Sequence, residues 1–188
     1  LDANGNHVTK MAREIGSIVT YDLPEEDAYL NTYLNGTYYT SLSNEAKDQV
    51  QEHSFNVGVQ NIDINNTLVT EVAQEKANTW KGKVGLIQVT DYIKASTDSS
   101  CINMYSALFG NDNSQCQNNN YLYNGTNYWT MSPCSRSTSY IVWGVYAGGS
   151  INSYSGTNIF GVRPVIYLKS NISLSGSGTS NDPYAIIA

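Results

Sequence analysis

Two histidines, His7 and His53, and three cysteines, Cys101, Cys116 and Cys134, are the side chains best equipped for catalysis or for holding a metal. Structural zinc needs closely spaced pairs such as CxxC. None occurs here, and the two histidines stand far apart in the sequence. A Ser/His/Asp set can be written around His53, but no nucleophile elbow accompanies it. Cys101 and Cys116 flank a polar stretch. The cysteines therefore fit either a Cys101–Cys116 bridge in an exported protein, with Cys134 left over, or three reduced thiols. Asn111-Asp-Asn-Ser114 looks like a fragment of a calcium loop, yet the EF-hand spacing and its late Glu are missing, so it reads as a polar turn. The expectation is a protein that is not an enzyme and needs no cofactor or metal.

The chemistry left is binding. Trp129-Thr-Met-Ser-Pro133 and Gly161-Val-Arg-Pro-Val165 enclose a stretch dominated by Ser, Thr, Asn, Gly, Tyr and Trp. Tyr offers a large amphipathic area for two torsions, while Ser, Gly and Asn adapt their hydrogen bonds to a partner. The candidate ligand-binding residues are Arg136, Thr138, Tyr140, Tyr146, Asn152, Tyr154 and Asn158. A competing reading is solubility. Only 14% of residues are charged while fifteen are Tyr, so uncharged polar groups must cover much of the surface. Trp80, Trp129 and Trp143 are assigned to the core, and Arg163 to bridging loop carbonyls.

Ten basic and sixteen acidic side chains give a formal charge of −6 with no Lys/Arg cluster, which argues against nucleic acid or anionic membranes as partners. No segment approaches the ~20 apolar residues of a membrane span. The 188 residues suit one domain, 1–188. The chain opens on Leu1-Asp-Ala-Asn-Gly-Asn6 without a leader and reads as a truncated piece, so any export signal would lie upstream.

The elements that must carry the binding stretch are short. Strand signals occur near His7 and Gly16, and a helix is predicted from Glu25 to about Leu34, ending near Asn35-Gly36. A second helix follows Ser43 as N-cap, with Leu42, Ala46 and Val50 on one face. A third is predicted over Val69 to Trp80 from the spacing of Val69, Val72, Ala73, Ala77 and Trp80. Lys83 to Thr90 reads as a buried strand, followed by a helical turn capped by Asp91 or Thr90. Polar residues dominate 97–127, and the long polar, variable-looking region as a whole spans 97–158. Strands are predicted at Tyr140–Tyr146 and Val162–Leu168, with Pro164 implying an edge or a bulge. Ile172–Ser175 and Tyr184–Ile187 form a closing hairpin.

Tyr33-Leu-Asn-Gly-Thr-Tyr-Tyr39, Lys83-Val-Gly-Leu-Ile, Asp91-Tyr92, Trp129-x-x-Ser-Pro133, Val142-Trp143 and Gly161-Val-Arg-Pro164 follow one another in an order that resembles a large family of bacterial exported domains. That family is similar to the C-type-lectin-like fold in its bacterial form, shared with formylglycine-generating enzymes and with retroelement-diversified receptors. Its members often follow prepilin-type leaders. The resemblance covers about Tyr33 to Leu168 and implies an α+β domain, with short helices packed on small twisted antiparallel sheets. Gly176-Ser-Gly-Thr with Asp182-Pro-Tyr184 also resembles a strand end common in bacterial surface proteins.

The resemblance implies a non-catalytic adhesin- or receptor-like domain, extracellular and on the bacterial cell surface, that grips a protein or glycan. The alternative is a structural pilin-like subunit whose same face packs on neighbouring pilus subunits. The enzymatic branch of that fold uses a close cysteine pair or a histidine-rich iron site, and the calcium signatures of animal lectins are "EPN" and "WND"; this sequence has none of them.

Overall fold

The structure, a computed structural model, describes residues 29–61, 63, 65, 67–103, 114–134, 141–155, 158–179 and 181–187. The expected opening turn and first strands, the start of the first helix, the Asn111–Asn113 part of the polar turn, and Arg136, Thr138 and Tyr140 lie outside these residues.

Helix α1 combines a turn at Tyr29–Asn31, a π-helical stretch Thr32–Tyr38 and a last turn Tyr39–Ser41. The sequence predicts an end near Asn35-Gly36; the wider π turn instead carries the helix across both residues. Tertiary bonds make the difference. Asn35 Oδ1 accepts from the Lys83 and Val84 N–H groups at 2.9 Å each, and its Nδ2 donates to Val84 O at 2.9 Å. One amide thus caps the outer edge of strand β4 (Val84–Gly85), which would otherwise present unpaired backbone groups. Helix α2 (Asn44–Gln49) starts as expected, with Ser43 Oγ accepting from Ala46 N–H at 3.2 Å.

Helix α3 (Leu68–Glu75) departs from expectation in length and in phase. It stops at Glu75, and Trp80 belongs to strand β3 (Thr79–Gly82), where it pairs with Phe55 of β2 (His53–Asn56). Val69 is 79% exposed, whereas Glu71 and Glu75 are buried. The expected apolar stripe misleads because polar partners wait on the buried side. Gly58 lets the helix end come close: its N–H donates to Glu75 O at 2.8 Å, and a Cβ there would lie 1.9 Å from Gln74 O.

The Lys83–Thr90 strand is likewise shorter than expected. Residues 84–90 are all buried, which imitates a strand in sequence, but only Val84–Gly85 pair and helix α4 (Val89–Lys94) begins before Thr90. Its N-cap is Gln88, whose N–H donates to Asp91 Oδ2 at 3.0 Å, replacing the predicted caps. After a 3₁₀ turn (Ser99–Cys101) and helix α5 (Ser114–Asn118), strands β5 (Tyr128–Pro133), β6 (Ile141–Val145), β7 (Ile151–Ser155), β8 (Val165–Leu168), β9 (Ser173–Ser175) and β10 (Ala185–Ile187) follow. Pro164 precedes β8 instead of interrupting it. β8 is the central strand between β1 (Val50–Gln51) and β4, where a residue without N–H would cost a ladder bond.

The named strands pair antiparallel in the orders β1-β8-β4, β2-β3, β5-β6-β7 and β9-β10. Cys101 and Cys116 form a disulfide, and Cys134 is buried and lies outside it. The fold is α+β, with short helices and small antiparallel sheets around two apolar clusters. One gathers Leu30, Leu34, Phe55, Trp80, Trp129, Val142 and Phe160. The other gathers Val89, Tyr92, Ile93, Tyr128, Trp143, Val145 and Ile151. All three tryptophans are core residues, as expected. No helix among the described residues is long and apolar enough to cross a membrane.

Candidate binding face on the three-stranded sheet

In the β6–β7 ladder Val142 opposes Tyr154 and Gly144 opposes Asn152. Because side chains alternate along a strand, these four positions share one face, while Trp143, Val145, Ile151 and Ser153 share the other. The Tyr146 N–H donates to Ser150 O at 2.7 Å, continuing the ladder and bringing Tyr146 onto the Gly144 face. Three of the predicted residues, Tyr146, Asn152 and Tyr154, are therefore brought together from opposite sides of a tight turn.

Their floor is aromatic. Phe160 stacks on Trp129 with centroids 4.5 Å apart, and Tyr154 meets Phe160 edge-on at 4.6 Å. A Cβ on Gly144 would lie 3.1 Å from Phe160 Cε2, so a side chain at position 144 would crowd the ring. Tyr154 is half-buried, and burial followed by the neighbouring Tyr146 phenol raises its pKa, keeping it a neutral donor and acceptor. Tyr146 is 43% exposed and Asn152 is exposed. Asn152 Oδ1 accepts from the Ser153 N–H at 2.8 Å. Asn158, half-buried, donates its N–H to Ser155 O at 2.9 Å in the return from β7, beside the exposed Ile159.

Sequence reasoning missed Phe160 and Gly144. The signal was present: a Gly inside the apolar run Ile141-Val-Trp-Gly-Val145 marks close approach by another group. It also missed what anchors the sheet. Ser132 Oγ accepts from Val89 N–H at 3.0 Å and lies 3.3 Å from Glu75 Oε1, so the Ser of Trp129-x-x-Ser-Pro133 ties β5 to α3 and α4. Arg163, expected to bridge loop carbonyls, donates to one of them, Leu122 O, while its guanidinium lies 4.8 Å over the Tyr128 ring.

Chemically this face offers phenol rings, an amide and apolar edges, suited to stacking and neutral hydrogen bonding. His53 lies elsewhere, flat against Tyr167 with centroids 3.4 Å apart. Among the described residues no group of three or more His, Cys, Asp or Glu is arranged to hold a metal.

A family model described as a domain of unknown function, DUF6273, matches residues 20–170. The chain belongs to the DUF6273 family. Within that match lie α1 to β8, both apolar clusters and the Tyr146–Asn152–Tyr154 face; the β9–β10 hairpin of this DUF6273 chain follows it. No curated protein and no solved structure matches the chain.

Proposed function

We propose that this domain is a non-catalytic ligand-binding module, adhesin- or receptor-like, of a bacterial surface or pilus-associated protein. Its strands and helices are read as a C-type-lectin-like arrangement, possessing the framework that retroelement-diversified receptors also use. The observation that carries the reading is the convergence of Tyr146, Asn152 and Tyr154 on one face of the β5-β6-β7 sheet, beside the Phe160–Trp129 pair that covers the rest of that face and opposite the Trp143 cluster behind it. A stiff scaffold lets exposed aromatic and amide groups be presented without ordering cost. The Cys101–Cys116 disulfide supports an extracellular setting.

The ligand is a protein or glycan surface. Protein and glycan arrays probed with the wild-type chain would identify it, and Tyr146→Ala with Asn152→Ala would then test the face. Both side chains are exposed, so the double variant should keep its circular dichroism and melting point while losing about tenfold or more in affinity. A folded double variant with unchanged affinity would overturn this face as the site.

The alternative, a pilin-like assembly subunit, is favoured by one feature. The β9–β10 hairpin pairs only within itself among the named strands and exposes Leu174 and Ile186, cross-strand partners, as well as Tyr184 and Ile187. Concentration-dependent self-association that is lost on removing the hairpin would support that reading.

A further inference from the structure

The Glu75 side chain stands where three elements meet. Its Oε1 accepts from the Thr90 N–H at 3.2 Å and from Ser132 Oγ at 3.3 Å, and its Oε2 makes a short hydrogen bond with Thr90 Oγ1. Ser132 Oγ in turn accepts from the Val89 N–H. One carboxyl group therefore links α3 to the first turn of α4 and to the end of β5. Water is excluded: Glu75 and Thr90 are 2% exposed and Ser132 is 1% exposed.

The groups that face this junction make it unusual. Glu71 lies one turn back on α3 and is itself buried. Asp91 comes from α4. From 57–60 come the Gly58 N–H, bound to the Glu75 carbonyl, and the uncharged Gln60, whose Nε2 donates to Glu71 O at 3.2 Å. Among the described residues no Lys, Arg or His offsets a charge on Glu75. Burial first, then the Asp91 charge, push its pKa up from 4.5 to about 7, against the pull of the Thr90 and Ser132 hydrogen bonds.

We propose that Glu75 is a proton-dependent latch: neutral, it locks α3, α4 and β5 together; ionised, it draws water into the junction and loosens the end of β5. The native state holds this proton more tightly than the unfolded chain does. The stability it contributes is therefore complete below about pH 4.5, falls as pH rises, and levels off above about 7. Within that window the folding constant drops by at most about tenfold per pH unit.

Carbon-detected NMR titration of the intact chain, together with urea unfolding of wild type and Glu75→Gln at about pH 5.5 and about pH 8.5, tests the latch. Expected are a Glu75 carboxyl titrating near 7, and a wild-type folding constant that falls about tenfold or more, relative to Glu75→Gln, between the two pH values. The Val89 and Thr90 amides should also exchange faster at high pH in the wild type, beyond the intrinsic pH effect measured in the variant. A carboxyl titrating near its ordinary 4.5, or parallel stability profiles, overturns the proposal. Should the variant fail to fold, the wild-type titration decides alone.

Discussion

Asn35 shows how much one side chain can hold. Its amide satisfies two N–H groups and one carbonyl of the Lys83–Val84 backbone, and Val84 is fully within the core. Leaving buried donors unsatisfied costs more than the bond itself returns. Asn35→Ala is therefore expected to destabilise the chain by about 2 to 4 kcal/mol in urea unfolding, far above the usual effect of a helix-surface substitution. The change removes an Asn from a helix interior and so improves local propensity; destabilisation in spite of that gain would locate its role in tertiary bonding. Ser132 and Gly58 follow the same logic, since both serve contacts that no neighbouring sequence position announces. Arg163 and the tryptophans were legible because residue type alone restricts what a guanidinium or an indole can do inside a protein.

At the scale of elements, α3 is the instructive failure. Apolar spacing placed Val69 inward, but the helix buries Glu71 and Glu75 instead, and Thr90 and Ser132 supply hydrogen bonds to the Glu75 carboxyl there. Periodicity measures hydrophobicity and is blind to a polar interior that is satisfied. The disulfide is an element-scale device as well. Residues 114–123 follow the bridged Cys101 segment and reach the β6–β7 turn through a Gln117 bond to Gly148 O and a Tyr123 hydroxyl bond to Ala147 O at 3.1 Å. Replacing Cys101 and Cys116 by Ser should cost about 3 kcal/mol, given the sequence separation of 15. Hydrogen exchange should rise at the 146–150 turn before it rises in β5; uniform exchange would show that the loop does not brace the turn.

Over the whole molecule, stability is concentrated in the two apolar clusters on either side of the β5-β6-β7 sheet. The closing hairpin stands apart, with every described residue from 173 to 187 exposed. Its turn is held by its own bonds, including Asp182 Oδ2 accepting from the Ser177 N–H at 2.8 Å. Truncation before Ser170 is accordingly expected to change the unfolding free energy of the remaining chain by less than about 1 kcal/mol. A larger loss in a thermal or urea melt would show that the hairpin braces the body. With an isoelectric point near 4.7, the chain also loses its protective net charge on the acid side, where the Glu75 latch is tightest, so solubility and stability move in opposite directions there.

By itself the sequence determined which residues could be core, which stretches turn, the α2 cap, the closing hairpin, the charge-poor surface and the candidate set containing Tyr146, Asn152 and Tyr154. These follow from local chemistry: side-chain size, φ preference and the solvation of charge. Tertiary structure alone decided that Asn35 would finish a strand edge and that two glutamates would turn inward. It also decided that Phe160 would underlie the tyrosine face. Each of these depends on groups distant in the chain arriving within hydrogen-bond or van der Waals range, and such contacts leave no periodic mark in the sequence.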